Sequence, residues 1–170
     1  MSLPRAAVAI IRCLKPIPSI LLIERSQNPL DPWSGHLAFP GGGREVSDLD
    51  LMETAIRECE EEIGVHLQRR NCCRIRPHAV AGHYSGREVL VAPFVFELEQ
   101  RPALKLNLEE VQSVLWLEEA RFLDLRDHEK SNFHPKFPEM EFSYFSLSSK
   151  KLWGFSYEQL IKYYQASVKI

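Results

Sequence analysis

No apolar stretch in this sequence approaches the ~18 residues that a membrane-spanning helix requires. Arg5 and Arg12 interrupt any signal-peptide core within Met1–Leu14. Cysteine is scarce: Cys13, Cys59, Cys72 and Cys73 stand without a Cys-x-x-Cys spacing. That excludes a zinc framework and a secreted disulfide set, and it points to reduced thiols in a cytoplasmic protein. Excess charge of one sign is missing too. Lys and Arg number 21 against 23 Asp and Glu, a net charge of −2 with no basic stripe. This balance disfavours nucleic acid and polybasic membrane contact as partners. No repeat, low-complexity tract or linker divides the 170 residues. With 45% hydrophobic and 26% charged side chains, the composition predicts one globular domain over residues 1–170. A chain of this size buries roughly 70% of its unfolded surface without a staple.

The apolar, β-branched run Arg5–Cys13 predicts a strand, and Ser19–Arg25 predicts a second, joined to it by the Lys15–Pro18 turn. Ser26–His36 is polar and reads as a loop. Leu37–Phe39 is a short strand running into Pro40-Gly41-Gly42-Gly43. Asp50–Ile63 is the clearest helix. Arg74–His83, Val89–Leu98 and Gln112–Trp116 alternate as strands, followed by a short helix over Leu117–Phe122. Asp124–Pro138 is polar and reads as a loop, and Phe142–Leu147 reads as a strand. A closing amphipathic helix is expected over Ser156–Ala166, with Ser156 as its N-cap and Tyr157, Leu160, Ile161 and Tyr164 on one face. Strands on both sides of one central helix predict an α/β architecture, a mixed sheet sandwiched by helices.

The central helix carries the chemistry. Asp50 with Glu53 forms a capping-box pattern, and Gly64 is placed as the C′ glycine. Met52, Ala55, Ile56, Cys59 and Ile63 recur at helical spacing and form the expected buried stripe. Glu58 and Glu62 are i,i+4 neighbours, with Glu61 beside them. Like charges at that spacing cost a helix roughly 0.2–0.5 kcal/mol per pair. A divalent cation reverses the sign, and an all-oxygen donor set suits Mg²⁺ or Mn²⁺. Arg57 lies i,i+4 from both Glu53 and Glu61 and can hold a carboxylate in position. The alternative is an ordinary solvated acidic face. The glycine run upstream favours a site, since Gly41–Gly43 lets backbone approach a ligand closely.

Gly42 through Val65 resembles the Nudix box, G-x5-E-x7-R-E-U-x-E-E-x-G-U with U aliphatic. Arg57, Glu58, Cys59, Glu61, Glu62, Gly64 and Val65 fall on its second half. The first half departs by one residue. Counting back from Arg57 puts the first acid on Leu49, and a loop one residue longer brings Asp48 to that role. Leu21–Ser26, Gly35–Gly42 and Trp153–Ser156 are similar to the coenzyme A pyrophosphatase-like branch of the Nudix hydrolases. One departure from that branch is the absence of any arginine in residues 27–34.

The resemblance implies a Nudix-type α/β/α sandwich with a central mixed β-sheet. It implies a pyrophosphohydrolase that uses Mg²⁺ or Mn²⁺ to cleave a phosphoanhydride bond in a nucleoside diphosphate derivative. The substrate expected is coenzyme A-like, or of the nucleotide-sugar or ADP-ribose type. Glu58 and Glu62 would be the principal metal ligands, Glu61 a ligand or the general base, and Arg57 the residue that orients them. Glu109 and Glu110 are candidates for a further metal ligand, with Glu97 behind them. Gly42, Gly43, Arg25 and Arg44 are the substrate-binding candidates. The partner is a small-molecule nucleotide, and a homodimer is the oligomer that family members commonly form. Two other readings are a non-catalytic Nudix-like nucleotide-binding module and a 5′-end RNA pyrophosphohydrolase. The retained box carboxylates argue against the first and the absence of a basic stripe against the second.

Overall fold

The computed structural model describes residues 5–31, 33–83 and 86–167. In chain order the strands and helices are β1 (Arg5–Lys15), β2 (Ser19–Arg25), β3 (Leu37–Ala38), β4 (Gly41–Gly43), α1 (Leu51–Ile63), β5 (Cys72–Ile75) and β6 (Ala79–Ala81). They continue with β7 (Val89–Gln100), β8 (Val111–Glu118), α2 (Glu119–Phe122), β9 (His128–Ser131), β10 (Phe142–Leu147), β11 (Lys150–Trp153) and α3 (Gly154–Ser167). Among the described residues, β1 to β8 form one mixed sheet. The long pairing of β1 with β7 is parallel, from Arg5–Leu90 to Lys15–Gln100. β1 with β2, β2 with β8, and β7 with β5 and β6 are antiparallel. β9, β10 and β11 make a second antiparallel sheet.

Period-two alternation along β1 and β2 gives the sheet two apolar faces. Ala7, Ala9, Ile11, Cys13, Leu21 and Ile23 point to one side, where Ala55, Cys59 and Ile63 of α1 cover them. Ile10, Ile20 and Leu22 point to the other, against Phe145, Leu152, Leu160 and Tyr163. The central sheet is therefore sandwiched between α1 and α3, as expected. Met52 and Ile56 pack at the edge of the first core rather than inside it. Cys13 and Cys59 are fully buried free thiols within it. Among the described residues no helix is long and apolar enough to cross a membrane.

Several boundaries differ from the sequence reading. The strand expected over 74–83 is two short strands, β5 and β6, both paired to β7. Pro77 lies between them and has no N–H for a ladder. Leu117 and Glu118 stay in β8, because they still pair with Ile20 and Ser19, and the helix begins only at Glu119. Within the expected loop 124–138, His128–Ser131 is a strand, recruited by β10 despite its polar side chains. β11 pairs back onto β10 around Ser148, which takes a left-handed φ of 57°. α3 starts at Gly154, whose φ of 61° turns the chain from β11 straight into the helix. Ser156 is consequently a buried residue of the first turn and not the N-cap.

Candidate metal and diphosphate site

The Gly41–Asp50 segment and α1 are held together by one guanidinium. Arg57 Nε donates to Asp48 Oδ1 at 3.0 Å and Nη2 to Asp48 Oδ2 at 3.2 Å. The same group reaches Gly43 O at 3.0 Å, Glu61 Oε2 at 2.7 Å and Glu58 Oε1 at 3.0 Å. Asp48 also accepts the Glu45 N–H and the Thr54 hydroxyl, both at 2.8 Å. The Arg57 fork, ahead of these bonds, pulls the Asp48 carboxyl down to about 2. Asp48 is thus anchored on Arg57, two residues before the N-cap. Asp50 caps Glu53 N–H at 3.0 Å, while the Glu53 carboxylate takes the Leu49 N–H instead of that of Asp50.

The glycines serve close approach. A Cβ on Gly42 would lie 2.4 Å from Glu58 Oε1, so glycine lets this backbone pass without displacing the carboxylate. The preceding N–H, from Gly41, donates to Glu62 Oε2 at 2.9 Å. The three-glycine segment also pairs with β1 as β4, which fixes it beside α1.

A third element completes the cluster. Downstream of the helix, the Lys105 N–H donates to Ile63 O and the Asn107 N–H to Glu62 O, both at 2.9 Å. These bonds satisfy carbonyls that a helix C-terminus otherwise leaves open. They also dock the 105–110 loop against α1. The Glu110 carbonyl then accepts the Ser26 N–H at 2.8 Å, and Asn107 Nδ2 donates to Glu110 Oε1 at 3.0 Å. Carboxylate oxygens of Glu58, Glu62 and Glu110 come within 4.8 Å of one another.

The electrostatics of this trio are unbalanced. Glu62 is 1% exposed, and burial pushes its carboxyl up to about 8. The Gly41 N–H and Arg25 oppose that rise, while Glu58 and Glu110 add to it. Glu58 is raised as well, chiefly by burial, with Arg57 opposing. The nearest cation to Glu62 in these pairings is Arg25, with Nη1 4.0 Å from Glu62 Oε1. An all-oxygen trio that runs from the buried Glu62 through the half-buried Glu58 to the exposed Glu110 fits a hard divalent cation such as Mg²⁺ or Mn²⁺.

The other sequence candidates separate clearly. Glu61 turns to Arg57, is half-exposed and stands outside the trio. Two residues four apart share a helix face, but Glu61 is rotated from Glu62 by about 100°. Glu109 is exposed and outside the trio, its N–H bonded to the Asn107 side chain. Glu97 pairs with Arg12 across the sheet at 2.7 Å. Arg44 donates to the carbonyls of Asp48 and Leu49, which makes it a staple of the loop. Arg25 sits next to the trio and also donates from Nε to Asp31 at 2.8 Å. Gly43 borders the site through its carbonyl, the one held by Arg57. The Gly41 N–H to Glu62 contact was not legible in the sequence; the glycine run was its only signal.

The NUDIX domain family matches residues 3–137. The chain belongs to that family. An uncharacterized protein of Schizosaccharomyces pombe, C14C4.10c, is 36% identical over 104 residues, covering 59% of this chain and 32% of that protein. The mitochondrial coenzyme A diphosphatase NUDT8 of Mus musculus is 27% identical over 131 residues, covering 75% of this chain and 60% of that enzyme. The chain therefore spans less than two thirds of either relative's length. In fold it is similar to a MutT/nudix family protein from Enterococcus faecalis, with a TM-score of 0.69 at 18% identity over 99% of this chain and 63% of that one.

Proposed function

We propose that this protein is a divalent-metal-dependent hydrolase that cleaves a phosphoanhydride bond in a nucleoside diphosphate derivative, coenzyme A-like substrates foremost. The observation that carries the reading is the convergence of Glu58, Glu62 and Glu110 within 4.8 Å beside a glycine loop. Membership of the Nudix family supports it. So does similarity to an enzyme named for coenzyme A diphosphatase activity.

In this reading Glu58, Glu62 and Glu110 hold Mg²⁺ or Mn²⁺. When bound, such ions neutralise diphosphate charge and activate water. The chain's own residues do the rest. Arg57 fixes Glu58 and ties it to the Asp48 loop, so the carboxylates are placed before substrate arrives. Glu61, half-exposed and hydrogen-bonded to the same guanidinium, is the carboxylate left to accept a proton from the attacking water. Arg25 adds a positive charge next to Glu62, suited to a diphosphate oxygen.

The test is a screen of purified protein with Mg²⁺ or Mn²⁺ against coenzyme A, ADP-ribose, sugar nucleotides, dinucleotides and nucleoside triphosphates. Metal-dependent cleavage within the diphosphate of coenzyme A or a related derivative is the expected result. Efficient turnover of nucleoside triphosphates alone would overturn the substrate assignment. Tight nucleotide binding with no turnover would favour a non-catalytic binding module.

A further inference from the structure

An open cleft of about 380 Å³ lies between two loops distant in sequence, joined to the carboxylate trio through Arg25. Gln27, Asn28, Asp31 and His36 line it from one loop, and His134 and Lys136 from the other. Both imidazoles are fixed on one side chain. His36 and His134 each stand edge-on to Trp153 of β11, with ring centroids 5.0 Å away. The Lys136 N–H donates to His134 Nδ1 at 3.2 Å, so the neutral ring carries its proton on Nε2.

The lining of this cleft is rich in hydrogen-bond donors. Its acid, Asp31, is held by Arg25 at 2.8 Å. That leaves the Lys136 ammonium, two imidazoles and the Gln27 and Asn28 amides. Burial is the main force keeping His36 below its ordinary value; His134, Arg25 and Lys136 push the same way, and Asp31 opposes. His134 is lowered by burial and then by Lys136. Basic groups that disfavour one another's protonation all gain from an anion placed among them. Arg25 links this cleft to the trio, bonded to Asp31 on one side and 4.0 Å from Glu62 on the other.

We propose that this cleft binds a phosphate monoester that the substrate carries in addition to its diphosphate. The proposal rests on the diphosphate-hydrolase reading above and narrows its substrate class to phosphorylated nucleoside diphosphate derivatives. A donor-rich lining whose one carboxylate is already neutralised suits a dianion better than a cation or an apolar group. One guanidinium, that of Arg25, would stand between the two phosphate positions.

Two measurements test it. First, kcat/KM is compared for coenzyme A and dephospho-coenzyme A, which differ by one phosphate monoester. The wild type should prefer coenzyme A by at least roughly tenfold, the scale of one or two charge-assisted hydrogen bonds. Lys136→Ala, and independently His134→Gln, should shrink that ratio toward one. An equal kcat/KM for the two substrates, or a ratio untouched by both variants, overturns the proposal. Second, the metal-free protein is titrated with adenosine 3′,5′-bisphosphate and with AMP, following the imidazole proton resonances by NMR. The bisphosphate should bind at least roughly tenfold more tightly and move the His36 and His134 signals, and Lys136→Ala should erase the difference. Inorganic phosphate is the third probe. If it moves the same signals at the same concentration as the bisphosphate, the cleft is an anion site unconnected with the substrate and the proposal falls. If none of the substrates is cleaved, the enzymatic reading fails, while the titration still decides what the cleft binds.

Discussion

Asp48 and Arg57 are joined by two parallel hydrogen bonds, 3.0 and 3.2 Å long, across the loop that separates the glycine segment from the helix. Asp48 is 4% exposed, and the Arg57 side chain is 19% exposed. Breaking a buried pair by removing one partner costs about 3–5 kcal/mol, and the partial exposure of Arg57 sets the expectation at the low end. Asp48→Asn should therefore lower the urea midpoint clearly. Arg57→Lys should also weaken it, since an ammonium cannot make the fork. If Asp48→Asn melts like wild type, the pair does not organise the loop.

The same pair contributes to the acid limb of stability. The Asp48 carboxyl sits at about 2 when folded, against an ordinary 3.8. The unfolded chain therefore binds its proton first as pH falls, and the stabilisation present above about pH 4 drains away toward pH 2. Denaturant titrations of wild type and Asp48→Asn should converge over that window. Curves that remain parallel would remove Asp48 as the cause.

Glu58→Gln and Glu62→Gln keep shape and remove a charge that a divalent ion needs. Each should lower the rate by roughly 10²–10⁴. Without metal, Glu62→Gln should not melt below wild type near neutral pH, where burial already keeps the Glu62 carboxyl largely protonated. The Tm gain that Mg²⁺ or Mn²⁺ gives wild type should shrink in both. For Glu62 the pH sign is opposite to that of Asp48. Its folded value of about 8 exceeds the ordinary 4.5, so between these values the native state holds a proton that the unfolded chain has released. Metal-free wild type should lose stability as pH rises through that window, and Glu62→Gln should flatten the loss. A Glu62→Gln variant with the wild-type slope would contradict the assignment.

Glu60→Gln is the internal control. Glu60 is exposed and pairs with His66 at 2.9 Å, away from the trio. Activity should stay near wild type. Inactivity equal to that of Glu62→Gln would mean that the register of the acidic helix is misassigned.

The loop carboxylates give a paired contrast. Glu110→Gln should weaken the metal-induced rise in Tm, because Glu110 belongs to the trio. Glu109→Gln should leave it intact. Gly42→Ala places a methyl 2.4 Å from where Glu58 Oε1 now lies, so that carboxylate must shift. Its rate should fall at least tenfold, in line with displacement of a metal ligand. A fully active Gly42→Ala would show that the glycine is needed only for the turn.

The helix and its polarity were determined by the sequence alone. Asp50, Glu53 and Gly64 punctuate it, and Ala55, Cys59 and Ile63 give it one apolar stripe. That information is local, because spacing within a helix fixes which side chains share a face. The same arithmetic placed Glu58 with Glu62, and the alternation of β1 and β2 was legible for the same reason. Tertiary structure decided what local periodicity cannot carry. Glu110 rather than Glu61 completes the trio, because the 105–110 loop docks on carbonyls of Glu62 and Ile63 while Glu61 is turned toward Arg57. The polar strand β9 exists only because β10 pairs with it. The cleft joining His36 to Lys136 depends on Trp153, a residue of β11, meeting both loops. Each of these rests on contacts between segments far apart in the chain, where hydrophobic period and capping residues are silent and only the packing of whole elements chooses the partner.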